Sequence, residues 1–85
     1  METRSKTEAP IVGIGSAVRV KLSDDTAIVV TIVLPHEVDP AQGKISYQSP
    51  LGRALLGKQG GDHIIYSVGD RAFQADILEI YPKDE

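Results

Sequence analysis

A run of nine residues, 26–34 (TAIVVTIVL), constrains the fold of this chain more than any other feature. Every residue in the run is β-branched or apolar, and no polar residue breaks it into an alternating pattern. Such a run predicts a central β-strand that is covered on both faces. Pro35 ends the strand, and the polar residues 23–25 before it predict a turn. Because a chain of 85 residues has room for only one core, the fold must form around this strand.

A second strand is predicted just before this run, where apolar and polar residues alternate over positions 14–22. Alternation places every second side chain on one face of a strand. We therefore expect a half-buried strand whose inner face is formed by Ile14, Val18, Val20 and Leu22.

The second half of the chain predicts three more strands, over residues 44–48, 62–68 and 72–81. Gly69 and Asp70 between the last two are typical of a two-residue hairpin. The last strand changes phase after Ile77, which indicates either a β-bulge or burial on both faces.

One short helix is predicted over residues 50–56. Ser49 suits the N-cap, Pro50 the first helical position and Gly57 the end of the helix. The fold class is therefore α+β, a twisted antiparallel sheet with one short helix. We expect a flexible N-terminal tail over residues 1–11, a folded domain over 12–81 and a C-terminal tail over 82–85.

Composition excludes several classes of protein. The chain has no cysteine, so it has neither a disulfide nor a thiolate nucleophile. Its net charge of −3 gives no strong attraction to nucleic acid, and we expect no direct specific DNA binding. No apolar run approaches the length that a membrane span requires. A cytoplasmic protein, with a monomer favoured, is the resulting expectation.

Motifs that could carry chemistry have simpler explanations. Residues 52–58 (GRALLGK) resemble a phosphate-binding loop only in spacing, since Gln59 stands where such a loop needs Ser or Thr. His36 and His63 show no metal-ligand spacing and are interpreted as solvated turn residues. We expect no catalytic, metal-binding or cofactor-binding residue. The same holds for three serines that lack a nucleophile-elbow sequence, Ser16, Ser49 and Ser67.

The most specific stretch is residues 43–58 (GKISYQSPLGRALLGK), followed by Gly61 and Asp62. Together with residues 12–16 (VGIGS) and 77–81 (ILEIY), it resembles the C-terminal domain of the bacterial Gre transcript-cleavage and elongation factors, and of the related regulator Rnk. The resemblance covers residues 12–81 and implies an FKBP-like fold.

The resemblance also implies a partner. The family domain docks on RNA polymerase at the rim of the secondary channel, and its docking surface includes the strand end and the start of the helix. Carried over to this chain, the partner-binding residues are Ser46, Gln48, Ser49, Pro50 and Leu51. Relatives often have Asp or Asn where this chain has Gln48.

Gre factors also carry an N-terminal coiled coil with an acidic tip that acts in transcript cleavage. This sequence shows no heptad pattern, so it is either a minimal member of the family or the C-terminal part of a longer factor. In both cases we expect a non-enzymatic module that modulates transcription elongation without cleavage activity. Two alternatives are that the fold binds a different protein, or that it is a prolyl isomerase. The low aromatic content argues against the second.

Overall fold

A computed structural model describes residues 10–82, and the expected tails over residues 1–11 and 82–85 lie mostly outside that range. Five strands form one sheet in the order β3-β2-β1-β5-β4. The strands are β1 (Ala17–Leu22), β2 (Ala27–Val33), β3 (Lys44–Ser46), β4 (His63–Val68) and β5 (Arg71–Tyr81). Two 3-10 turns, Pro35–Glu37 and Pro40–Gln42, connect β2 to β3.

The helix predicted from its caps is present. It is α1, Pro50–Leu55, and it crosses from β3 at one edge of the sheet to β4 at the other. Ser49 caps it, Pro50 occupies its first turn, and Gly57 follows its end with a φ of 80°. These three residues explain why a helix of only six residues starts and stops where it does.

The hairpin and the bulge are also confirmed. Val68 pairs with Arg71 across the turn, where Gly69 has a φ of 63°. In the β1–β5 pairing, Arg19 lies opposite Glu79 but Val20 lies opposite Ile77. Leu78 is thus the extra residue of a β-bulge, which accounts for the change of phase that the sequence shows.

The predicted all-antiparallel sheet is wrong in one strand. β3 pairs with β2 in parallel, through Thr31–Lys44, Ile32–Ile45 and Val33–Ser46, so the sheet is mixed. Alternation records which face a side chain occupies but not the direction of the strand. The two 3-10 turns carry the chain back along the sheet, and β3 therefore runs the same way as β2.

The core lies between α1 and one face of the sheet, here called the inner face. Its buried side chains are Val12, Val18, Val20, Val30, Ile32, Leu55, Ile64, Ala75, Ile77 and Ile80. Among the described residues no helix covers the opposite, outer face of the sheet.

Two predictions about burial are wrong in part or in full, one for β2 and one for Ile14. β2 is covered on both faces only at its end: on the outer face Val33 is 7% exposed, whereas Val29 is 51% exposed. Ile14 does not join the buried face of β1, because a turn at Gly15, with a φ of 97°, separates it from the strand.

Candidate partner-binding segment

Residues 46–51, here called the strand-to-helix segment, contain all five predicted partner-binding residues. The segment begins at the last residue of β3 and ends inside the first turn of α1. Since β3 is parallel to β2, the segment leaves the sheet beside the carboxyl end of β2. There the backbone N–H of Tyr47 donates to the Val33 carbonyl, with a distance of 3.0 Å between N and O.

A compact set of hydrogen bonds holds the segment in one shape. The Ser46 hydroxyl accepts from the backbone N–H of Gln48 at 2.9 Å, and the Ser46 carbonyl accepts from the Ser49 hydroxyl at 2.7 Å. The Ser49 hydroxyl in turn accepts from the backbone N–H of Gly52 at 3.1 Å, which is the helix cap. Each serine therefore links the strand end to the helix start.

Gly52 lets the helix pack this closely on the strand end. It is buried in the first turn of α1, and a Cβ added there would overlap the Ser46 carbonyl oxygen. At this position a glycine is required by space, since its backbone is helical and not left-handed.

The five predicted residues fall into two groups once their surroundings are known. Ser46, Ser49 and Leu51 are half-buried, and both serine hydroxyls already bond within the segment. Gln48 and Pro50 are exposed. The first group shapes the segment, and the second presents side chains to solvent.

Two exposed side chains that sequence reasoning did not assign to the site lie next to the strand-to-helix segment. The β2–β3 register continues from Val33–Ser46, which places the exposed Leu34 next to Tyr47. Arg53 is exposed one helical turn after Pro50 and so shares its face of α1.

His63 is exposed, as the sequence predicted, but it lies in a strand and not in a turn. It begins β4, and its Nδ1 lies 2.6 Å from Oδ1 of Asp76 on β5, while its Nε2 lies 2.9 Å from Oε1 of Gln74. Both oxygens accept from a protonated ring. The hydrogen bond to Asp76 therefore raises the pKa of His63, and the bond to Gln74 acts in the same direction.

Other motifs have structural roles. Most of the GRALLGK stretch forms α1 and its end, and Ser16 is buried, with its hydroxyl accepting from the backbone N–H of Gly13 at 3.0 Å. Tyr66 and Phe73 stack with their ring centroids 5.5 Å apart. Between residues 10 and 82 there is no group of three or more possible metal ligands, and no helix is long and apolar enough to cross a membrane.

Comparisons with known proteins agree on one family. The family model described as "Transcription elongation factor, GreA/GreB, C-term" matches residues 6–82. The transcription elongation factor GreA of Clostridioides difficile strain 630 is 44% identical over 77 residues, which are 89% of this chain and 48% of that protein. The chain thus spans about half the length of this curated relative.

Solved structures agree with the sequence comparison. The Gfh1 protein of Thermus thermophilus, a GreA factor homologue, superposes with a TM-score of 0.75 at 27% identity, covering 88% of this chain and 51% of that one. A GreA/GreB elongation factor from Nitrosomonas europaea gives 0.72 at 30% identity, covering 92% and 66%. The chain belongs to the GreA/GreB family of transcription elongation factors and contains the C-terminal domain of that family.

Proposed function

We propose that this domain binds bacterial RNA polymerase at the rim of the secondary channel, through the strand-to-helix segment, and thereby modulates elongation in the cytoplasm. The relatives it matches are named transcription elongation factors, which supports polymerase as the partner. The docking position follows from the resemblance of residues 43–58 to the family's docking segment.

The observation that carries the proposal is that the segment is already ordered. Gln48 and Pro50 are exposed, yet the backbone on either side of them is fixed by bonds to Ser46 and Ser49. A partner therefore meets groups whose positions cost little entropy to fix on binding. Exposed Leu34 would supply an apolar contact next to Tyr47, and Arg53 a positive charge one helical turn after Pro50.

We further propose that these 85 residues do not stimulate transcript cleavage. The longest helix among residues 10–82 is α1, with six residues and a length of about 9 Å. No described helix is long enough to form the coiled coil with which Gre factors act in transcript cleavage. The described residues also contain no group of three or more possible metal ligands.

Replacing Gln48 by Asp tests the docking surface. The carboxylate would accept a charge-assisted hydrogen bond where the neutral amide makes a weaker one. We expect Gln48→Asp to tighten binding to core polymerase about three- to tenfold, and Pro50→Ala to weaken it. Titration of fluorescently labelled protein measures the affinities, and adding backtracked complexes to the same samples measures cleavage.

Gln59→Asp is the matched control, because it makes the same change of charge at an exposed glutamine beyond the other end of α1. It should leave the affinity unchanged. Equal affinities for wild type, Gln48→Asp and Pro50→Ala would place docking elsewhere. Cleavage above the polymerase's own rate would refute the proposed absence of cleavage activity.

A further inference from the structure

The outer strand β4 has an unprotected edge. It is six residues long (HIIYSV), pairs with β5 in unbroken register and contains no proline, glycine, lysine or carboxylate. Ile65 and Val68 are 65% and 51% exposed. Natural edge strands are normally protected from pairing by short length, charge, proline or a bulge, and β4 has none of these apart from the ionisable His63 at its first position.

The backbone groups on this edge are available for pairing. On β5, the N–H of Ile77 donates to the Asp62 carbonyl, and the Ile77 carbonyl accepts from the N–H of Gly61. Since the direction of the backbone groups alternates along a strand, the N–H and C=O groups of residues 75, 73 and 71 also point toward β4. Their partners Ile64 and Tyr66 point back at β5. The N–H and C=O groups of His63, Ile65 and Ser67 consequently point away from the sheet, and no other described residue bonds to them.

We propose that two copies of this domain associate by antiparallel pairing of their β4 strands, forming one continuous ten-stranded sheet. Ile65 faces Ile65 of the partner subunit, and the two-fold axis passes midway between these two residues. In this register His63 faces Ser67 of the partner subunit, and about six backbone hydrogen bonds form between the outward-pointing groups.

The partner proposed for this edge is a second copy of the domain, because in this register the outward-pointing donors and acceptors of one β4 strand match those of another. A two-fold axis perpendicular to the sheet keeps the inner and outer faces of both copies on the same sides. Ile64 then pairs with Tyr66 of the partner subunit on the inner face, a favourable aromatic and β-branched pair. No like charges are brought together, since residues 64–68 are uncharged.

The interface is small, so the association is weak and depends on concentration. A single strand pair lies at the low end of specific contacts, and we expect a dissociation constant on the order of 0.1–1 mM. The pairing uses the edge of the sheet opposite β3. The inference therefore stands independently of the proposed docking on polymerase.

Sedimentation velocity from about 10 µM to about 1 mM tests the dimer. We expect a shift from monomer toward dimer across this range, with concentration-dependent NMR shifts at the amides of His63, Ile65 and Ser67. Ile65→Lys places two lysines at the two-fold axis and should raise the dissociation constant at least about tenfold. Ser67→Pro removes an outward N–H without affecting a β4–β5 bond and should act in the same direction.

Val29→Lys is the matched control, because Val29 is an exposed apolar residue on the outer face of β2, an interior strand. It should associate as wild type does. A wild-type monomer at every concentration would overturn the proposal, even if some other chain binds this edge. So would a dimer that persists unchanged when Ile65→Lys and Ser67→Pro are both folded.

Discussion

The two edges of the sheet are built in opposite ways. β3 has three residues, includes Lys44, and lies between the Pro40–Gln42 turn and the capped start of α1. β4 has twice that length, no charge beyond His63, and exposed Ile65 along its free side. Side-chain hydrogen bonds and a close-packed glycine fix the chain beside β3. β4 is held by its ladder with β5, by the contact of its inner face with α1 and by the His63–Asp76 pair. One small sheet thus presents a shaped polar surface at one edge and an open backbone at the other.

The largest expected effect comes from filling the space at Gly52. Gly52→Ala would force its methyl group into the Ser46 carbonyl oxygen, so either the helix or the end of β3 must move. We expect a loss of about 2–3 kcal/mol in the free energy of unfolding, measured by urea denaturation.

Gly60→Ala is the control for this substitution, since an added Cβ there meets nothing within 4 Å. Its stability should lie within about 0.5 kcal/mol of wild type. If the two variants were equally stable, the close contact between helix and strand end would not be what shapes the β3 edge.

Replacing a serine by alanine should have a smaller effect on stability, and that effect should differ between the two edges. Ser49→Ala removes the helix cap and the bond to the Ser46 carbonyl, and should cost about 1 kcal/mol of unfolding free energy. Ser67→Ala on β4 removes a hydroxyl that bonds to no described residue, and should cost less than about 0.5 kcal/mol. Thermal or urea denaturation at low protein concentration measures both, and equal losses would contradict the contrast between the edges.

The smallest expected effect is the pH dependence of the β4 edge. Asp76 raises the pKa of His63, so the folded protein favours the protonated ring. That contribution is complete below the pKa of an unfolded histidine, near 6.5, and is lost as pH rises through the higher folded value. Wild type should therefore lose slightly more stability than Asp76→Asn between about pH 6 and about pH 8.

An NMR titration of the His63 ring gives the direct measurement. Its pKa should fall in Asp76→Asn, where the strongest hydrogen-bond partner of the protonated ring is gone. Lys21 on β1 pairs with Asp76 in the ladder, but its ammonium group lies 3.8 Å from Oδ1 of Asp25. An unchanged pKa in the variant would show that the pair at 2.6 Å does not stabilise the charged ring.

Local signals were sufficient wherever the structure depends on neighbours in sequence. The cap at Ser49, the proline after it and the glycine stop determine α1 within a few residues. Gly69 determined the hairpin, and the change of phase at Ile77 indicated the bulge at Leu78. The motif in residues 43–58 was specific enough to identify the family before any contact was known.

Exposure and strand direction depend on what packs against each element, and no local pattern records that. The apolar run of β2 predicts two covered faces, yet Val29 is open because the helix lies on the other side. His63 and Asp76 are 13 residues apart in sequence and meet only because β4 pairs with β5.

Sequence alone was enough to predict the strands, the single helix with its caps and the family, because hydrophobic period, capping chemistry and turn residues act over short distances. Tertiary packing was needed to show that β3 runs parallel to β2, that the Ser49 hydroxyl donates to the Ser46 carbonyl and that β4 is left as an open edge. Those features arise from the order of the strands in the sheet and from the close approach of the α1 backbone to the end of β3. Both are set when distant segments pack together around one core.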